Sequence, residues 1–172
     1  MPRLKMKIAC SLPLQAKVAD VWAFVDDREA QVKYHPRIDR IDVVSGEWGA
    51  PGSRMVVSAR QIDGTPVVAE QEMVSVDRPH GYATQTPFPD GVSRSHIEFG
   101  VDGDTVVSFA ETVVVTTRPL NWLEYAVLTV KKRAMRADAE AEFLQSYAVL
   151  QRYLYEECGD DVDHVDDEAP AP

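Results

Sequence analysis

The sequence predicts an α+β domain in which a curved, seven-stranded antiparallel sheet wraps around one long C-terminal helix, with two short helices after the first strand. Three observations predict it. An alternating apolar segment opens the chain at 4–12, six strand-like segments joined by short turns fill 38–117, and after Pro119 neither Pro nor Gly recurs until Gly159. A sheet with one apolar face and a helix with one apolar stripe remove both from water by packing together. A strongly twisted sheet of this size curls as it does so.

In the opening segment Leu4, Met6, Ile8, Cys10 and Leu12 share one parity and Lys5 and Lys7 take the other, as in a half-buried strand. Val18, Val21, Trp22 and Val25 then recur at helical spacing along one stripe. Asp26-Asp27 ends that helix, and Asp27 is placed to cap a second one running to about Tyr34. Pro36 disfavours helical geometry at His35 and closes it. The following strands are expected at 38–47, 53–62, 66–77, 81–88, 92–101 and 104–117. Asp63-Gly64, Pro89-Asp90-Gly91 and Asp102-Gly103 are turn signals, with Arg78-Pro79-His80-Gly81 as a slightly longer connection. Connections this short join antiparallel neighbours, because parallel ones need long crossovers.

In the final helix Leu123, Val127, Val130, Ala134, Ala137, Ala141, Leu144, Ala148 and Gln151 follow 3/4 spacing. Phe143, Tyr147, Leu150 and Leu154 widen the apolar face near its end, and Gly159 is a plausible stop. Two readings of the central alanines stand. Small residues at Ala134, Ala137 and Ala141 leave volume between helix and sheet, or they let the helix pack closely against the strands.

With 172 residues, 45% hydrophobic and 27% charged, the chain has room for one domain, 1–157, followed by a tail, 158–172. The net charge of -10 is unevenly placed. Residues 156–172 carry eight acids and no Lys or Arg, so residues 1–155 hold 20 acids against 18 bases, a net of -2. The charge and the prolines of the tail imply disorder. The nearly neutral body argues against nucleic acid as a partner. No apolar run reaches the roughly 20 residues of a membrane span, so integral membrane association is not expected. The first residues do not read as a secretory signal. Cys10 and Cys158 lie far apart, which suits a reducing cytoplasm better than a disulfide scaffold. No internal repeat, phosphate-binding glycine loop, nucleophile elbow or HExxH zinc motif occurs. The histidines His35, His80, His96 and His164 lack metal-ligand spacing. No metal, nucleotide or other cofactor is implied.

The segments VADVWAFVDD, YHPRIDRIDVVSGEWGAPGSRMVV, VSVDRPHGYATQT and DGDTVVSFAETVVV, followed by the long helix, resemble the START-like SRPBCC superfamily. This group includes polyketide cyclase/dehydrase-like, lipid-transfer and Bet v 1-type proteins. The resemblance covers roughly residues 4–157 and implies a helix-grip fold with a hydrophobic small molecule, such as a lipid or polyketide, held between sheet and helix. Only some such proteins are enzymes. Those that cyclise polyketides use polar cavity residues, often Arg and Tyr, whereas the inward candidates here are mostly aliphatic, with no clear inward Arg.

Candidate site residues follow from parity and position. Val107, Phe109, Glu111, Val113 and Val115 share one parity, so an inward Phe109 carries Glu111 inward with it. A buried carboxylate would then serve acid/base chemistry or anchor a polar ligand group. Reversed faces, or pairing of Glu111 with a neighbouring base, is the competing reading. Tyr34 and His35 stand where a pocket mouth is expected, Trp48 could form a rim, and Met55, Val57 and Phe99 lining; Ala134 and Ala137 would face them from the helix. In an enzyme, a cyclase, aromatase or dehydratase, Glu111 or Tyr34 would donate or accept the proton. Ile97 and Phe99 are better core residues than His96 and Glu98, which places the latter pair outside. Glu70 and Glu72 read best as cross-strand partners of Arg54 or Arg60. Lys131, Lys132, Arg133 and Arg136 form a basic patch on the helix, by default a solvated face; lipid headgroups or the acidic tail are the alternatives.

Overall fold

The structure, a computed structural model, describes residues 3–61, 63–102, 105–116 and 119–158. The elements run β1 (Lys5–Gln15), α1 (Val18–Asp26), α2 (Arg28–Tyr34), β2 (Ile38–Ser45), β3 (Arg54–Arg60), β4 (Pro66–Asp77), β5 (Gly81–Phe88), β6 (Gly91–Asp102), β7 (Thr105–Thr116) and α3 (Trp122–Cys158). The expected acidic tail lies outside the described residues, except for Cys158. The seven strands form one sheet in the order β1-β7-β6-β5-β4-β3-β2, all antiparallel. The meander expected from the turns is therefore present, and β1 closes it by pairing with its last strand.

Local signals set the element ends. The Asp27 side chain accepts from the Ala30 N–H at 2.9 Å and starts α2 immediately after α1 stops. At the start of α3, the Asn121 side chain accepts from the Glu124 N–H at 2.8 Å while Glu124 accepts from the Asn121 N–H at 3.0 Å. That reciprocal box fixes the first turn two residues beyond Pro119. Gly81 opens β5 where the chain runs against β6: a Cβ there would sit 2.1 Å from the Ile97 carbonyl oxygen.

Two packed clusters fill the concave side. Leu14, Val21, Trp22, Ala30, Tyr34, Phe99, Val106, Val149, Tyr153 and Leu154 join sheet, short helices and α3. Ile41, Met55 and Met73 form a second cluster towards the β2 edge, with Trp48, Val57 and Tyr82 against it. Arg78 ties α1 to the β4–β5 connection through two bonds to Asp26, at 2.7 and 2.5 Å, and lies over the Trp22 ring. The Trp22 indole N–H donates to the Pro79 carbonyl at 2.9 Å.

The packed stripe of α3 differs from the one expected. Val149, Tyr153 and Leu154 are buried, with Phe143, Tyr147 and Leu150 half-buried beside them. The stripe from Leu123 to Gln151 faces solvent: Leu123 is 58% exposed, Val130 81% and Leu144 52%, and Ala137, Ala141 and Ala148 are also exposed. Ala134 lies outside the described side chains. The helix has two apolar stripes, and the one with aromatic groups buries more area against the body. Ala137 and Ala141 therefore do not create space under the helix.

Gly81→Ala is expected to lower the unfolding free energy by about 1–3 kcal/mol, because backbone must move to admit the methyl group. Chemical denaturation of the two proteins measures it.

Candidate functional site: a cavity between sheet and helix

A cavity of about 270 Å³ lies between the sheet and the second half of α3. Its floor is Tyr82 of β5, Ile97 and Phe99 of β6, Ser108 and Ala110 of β7 and Leu14 of β1. Val21, Phe24 and Val25 of α1, Gln31 of α2, His35 and Ile38 form one wall, and Phe143, Ser146, Tyr147, Val149 and Leu150 of α3 form the cover.

Register explains why space survives there. Ile97 faces Ala110 and Phe99 faces Ser108 across the β6–β7 ladder. Side chains on the concave face of a curved sheet converge, so each large group on β6 needs a small neighbour on β7. Val106, Ser108 and Ala110 are buried on that parity, and the bulkier series containing Phe109 turns to the convex face. Glu111 goes with it and forms an ion pair with Lys7. The expectation that Phe109 and Glu111 face inward is therefore corrected: neither lines the cavity, and Glu111 is a convex-face partner of β1.

The other candidate residues separate into three groups. His35 and Phe99 line the cavity. Met55, 3% exposed, Val57 and Trp48 belong to the second packed cluster and not to the cavity wall. Tyr34 has a buried ring, but its hydroxyl donates to Glu157 Oε1 at 2.6 Å, and Lys33 donates to the same oxygen at 2.8 Å. The Glu157 bond raises the Tyr34 pKa, and the Lys33 and Tyr34 bonds hold Glu157 below its usual range. Tyr34 thus fastens α2 to the end of α3 and is not a cavity group. Ala137 is exposed. His96 and Glu98 are on the outer face, as expected from Ile97 and Phe99. Glu70 pairs with Arg54 at 2.9 Å, and Glu72 accepts from Gln85 at 2.8 Å. In the basic patch Arg136 pairs with Glu140 one turn away at 2.9 Å. His164 lies outside the described residues.

The principal polar group missed in the sequence is Tyr82. Its ring packs edge-on against Trp22 with centroids 6.0 Å apart, and burial pushes its hydroxyl up to about 12. It therefore stays protonated at neutral pH and acts as a hydrogen-bond donor. Among the described residues no partner holds this hydroxyl. The signal lay in parity: Tyr82 shares a parity with Thr84, which is buried on the same face. His35 Nδ1 accepts from the Arg37 N–H at 3.3 Å, which leaves the proton of the neutral ring on Nε2. Burial, then the Arg37 charge, lowers the His35 pKa. Tyr147 is occupied, donating to the Pro13 carbonyl. No Asp, Glu, Lys or Arg is among the described lining residues. One row further along the same face, Ser95 and Thr112 hydroxyls bond at 3.0 Å and Gln71 donates to Thr84 at 3.4 Å. Among the described residues no group of three or more His, Cys, Asp or Glu is placed to hold a metal ion. No described helix is long and apolar enough to cross a membrane.

A meander gripping a long helix over an apolar hollow defines a helix-grip protein of the START-like, SRPBCC type. Residues 6–147 match the family model described as polyketide cyclase / dehydrase and lipid transport, and the chain belongs to that family. No curated protein matches the sequence. Among solved structures, truncated norcoclaurine synthase from Thalictrum flavum superposes with a TM-score of 0.69 at 11% identity, covering 91% of this chain and 97% of that one. A START superfamily protein from Mycobacterium smegmatis gives 0.65 at 11%, covering 85% and 94%. The di-domain ARO/CYC StfQ from the steffimycin biosynthetic pathway gives 0.71 at 14%, with 91% of this chain matching 53% of that one. Likeness at these identities establishes the fold.

Folding lowers the His35 pKa from its ordinary 6.5, so the unfolded chain takes up this proton first. Its contribution to stability is full above that value and falls as the pH drops towards the lower folded value. Melting curves between about pH 7.5 and 5 should show a smaller acid loss for His35→Gln than for the wild type.

Proposed function

We propose that the protein binds one uncharged, hydrophobic or amphipathic small molecule, of lipid or polyketide type, between the sheet and α3. The observation that carries this reading is an apolar cavity with Tyr82, whose hydroxyl has no described partner, among its floor residues and no ionised group in its described lining. Apolar area supplies the affinity, and a charged ligand group would lose its hydration without a counter-charge. Tyr82 donates a hydrogen bond to a carbonyl or hydroxyl oxygen of the ligand, and the His35 ring in the wall supplies another neutral polar group. The family description, polyketide cyclase / dehydrase and lipid transport, supports the same class of ligand.

A cyclase, aromatase or dehydratase activity is the second reading, favoured by the same hydroxyl. A protonated phenol in an apolar site can polarise a carbonyl as charge develops on its oxygen. In that case Tyr82 and His35 would take the roles expected of Glu111 and Tyr34, which lie elsewhere.

The neutral fluorophore N-phenyl-1-naphthylamine should bind at one site per chain. Ala110→Leu, which fills the floor, should weaken it at least about tenfold while the protein stays folded; unchanged affinity would remove the cavity as the site. Native mass spectrometry of freshly purified protein should also show a co-purified apolar molecule.

Tyr82→Phe should weaken a carbonyl-bearing competitor about 2- to 10-fold, the worth of one neutral hydrogen bond. Loss of turnover with retained affinity would select the enzyme. Glu111→Gln, on the convex face, should change probe affinity less than about twofold.

A further inference from the structure

The solvent-facing stripe of α3 is more regular than a surface helix requires. Leu123, Val127, Val130, Ala134, Ala137, Ala141, Leu144 and Ala148 alternate steps of four and three without a break, a seven-residue repeat over 26 positions. Surface stripes that serve a globular core follow the 3.6-residue turn and drift around the helix. A strict 3.5-residue period instead keeps one narrow seam facing a second helix that coils about the first. The body leaves most of this seam uncovered, although Val127 lines a hollow with Phe88 and Pro89 of the β5–β6 turn. Val149, Leu150 and Tyr153, which face the sheet and short helices, occupy the opposite side of α3, and the seam residues Leu123, Val127, Val130 and Leu144 are 45–81% exposed.

We propose that this seam is the interface of a homodimer, in which α3 of a second copy lies antiparallel along it with Ala134 opposite Ala137 of the partner. Two independent features select that occupant and register. The first is size. In this alignment Leu123 meets Ala148, Val130 meets Ala141 and Ala134 meets Ala137, so nearly every layer sets a small residue against an equal or larger one, and Val127 meets Leu144. The helix axes can then approach closely along about 38 Å of seam.

The second is charge. Lys131 and Asp138, both exposed, flank the seam on one edge and come opposite each other in both symmetry-related halves. Each copy thus supplies the complement of its own flanks, which is the requirement for self-association through a two-fold axis. A parallel pair would instead set Lys131 beside Ala126 and stack Leu144 on Leu144. Because each body sits on the far side of its own helix, the two cavities point away from the interface.

Sedimentation velocity of the full chain at about 1–100 µM is expected to show a species of twice the chain mass. Ala137→Glu sets a carboxylate against the partner's Ala134 in each of the two central layers and should raise the dimer dissociation constant at least about tenfold. Its circular-dichroism melt should stay that of a folded chain, since Ala137 touches nothing in the monomer core. Lys131→Glu and Asp138→Lys should each weaken the dimer, and the double variant should restore it, an outcome specific to the antiparallel register. A wild-type monomer throughout this range, or a dimer indifferent to Ala137→Glu, would overturn the interface. Failure of the double variant to recover would overturn the register.

Discussion

The fold and its hollow depend on one steric constraint, the opposition of large β6 side chains to small β7 side chains on a converging surface. Ile97 above Ala110 and Phe99 above Ser108 let the sheet curve tightly without filling its own concavity. The same alternation sends Phe109 and Glu111 to the convex face, where a carboxylate meets Lys7 and water instead of an apolar lining. One parity choice on one strand thus decides both where the cavity is and that its described lining carries no ionised group.

That choice also marks the boundary of what could be read from the chain. Element order, the meander and most boundaries were legible, because turn residues and alternation are local signals. The capping role of Asp27 and the outward placement of His96 and Glu98 were legible for the same reason. The inward face of β7 was not, because both parities are apolar there and bulk alone favours Phe109. Bulk is the wrong criterion on a concave floor, where the neighbouring strand sets the space. The stripe of α3 failed differently: its sequence contains two apolar faces, and periodicity cannot say which one meets the sheet. Of the candidate cavity residues, His35 and Phe99 reach it, while Tyr34, Met55, Val57 and Trp48 serve packing nearby. Tyr82 was passed over because a tyrosine among Thr and Ala on a strand looks like an ordinary core aromatic.

The cavity walls are of unequal firmness. The floor is held by paired strands, whereas the wall from α1 and α2 is fastened at its ends by exposed ionic contacts, Asp26 with Arg78 and Lys33 with Glu157. Such contacts are individually weak and screened by salt, although the buried Trp22, Tyr34 and Tyr153 rings hold the same helices from within. The side chains that line the cavity therefore stand partly on rigid and partly on yielding supports.

The pairing of β1 with β7 has a consequence for how the molecule comes into being. Lys5 lies opposite Val115, 110 positions later, and among the described strands β7 is the sole neighbour of β1. During synthesis β1 must wait, its apolar parity uncovered, until β7 has emerged. Long-range closure of this kind slows folding and lengthens the exposure of an unpaired edge. Nascent chains halted before Thr116 would thus present a sticky unpaired strand, which makes the ribosome exit and its chaperones the place where this architecture is most vulnerable.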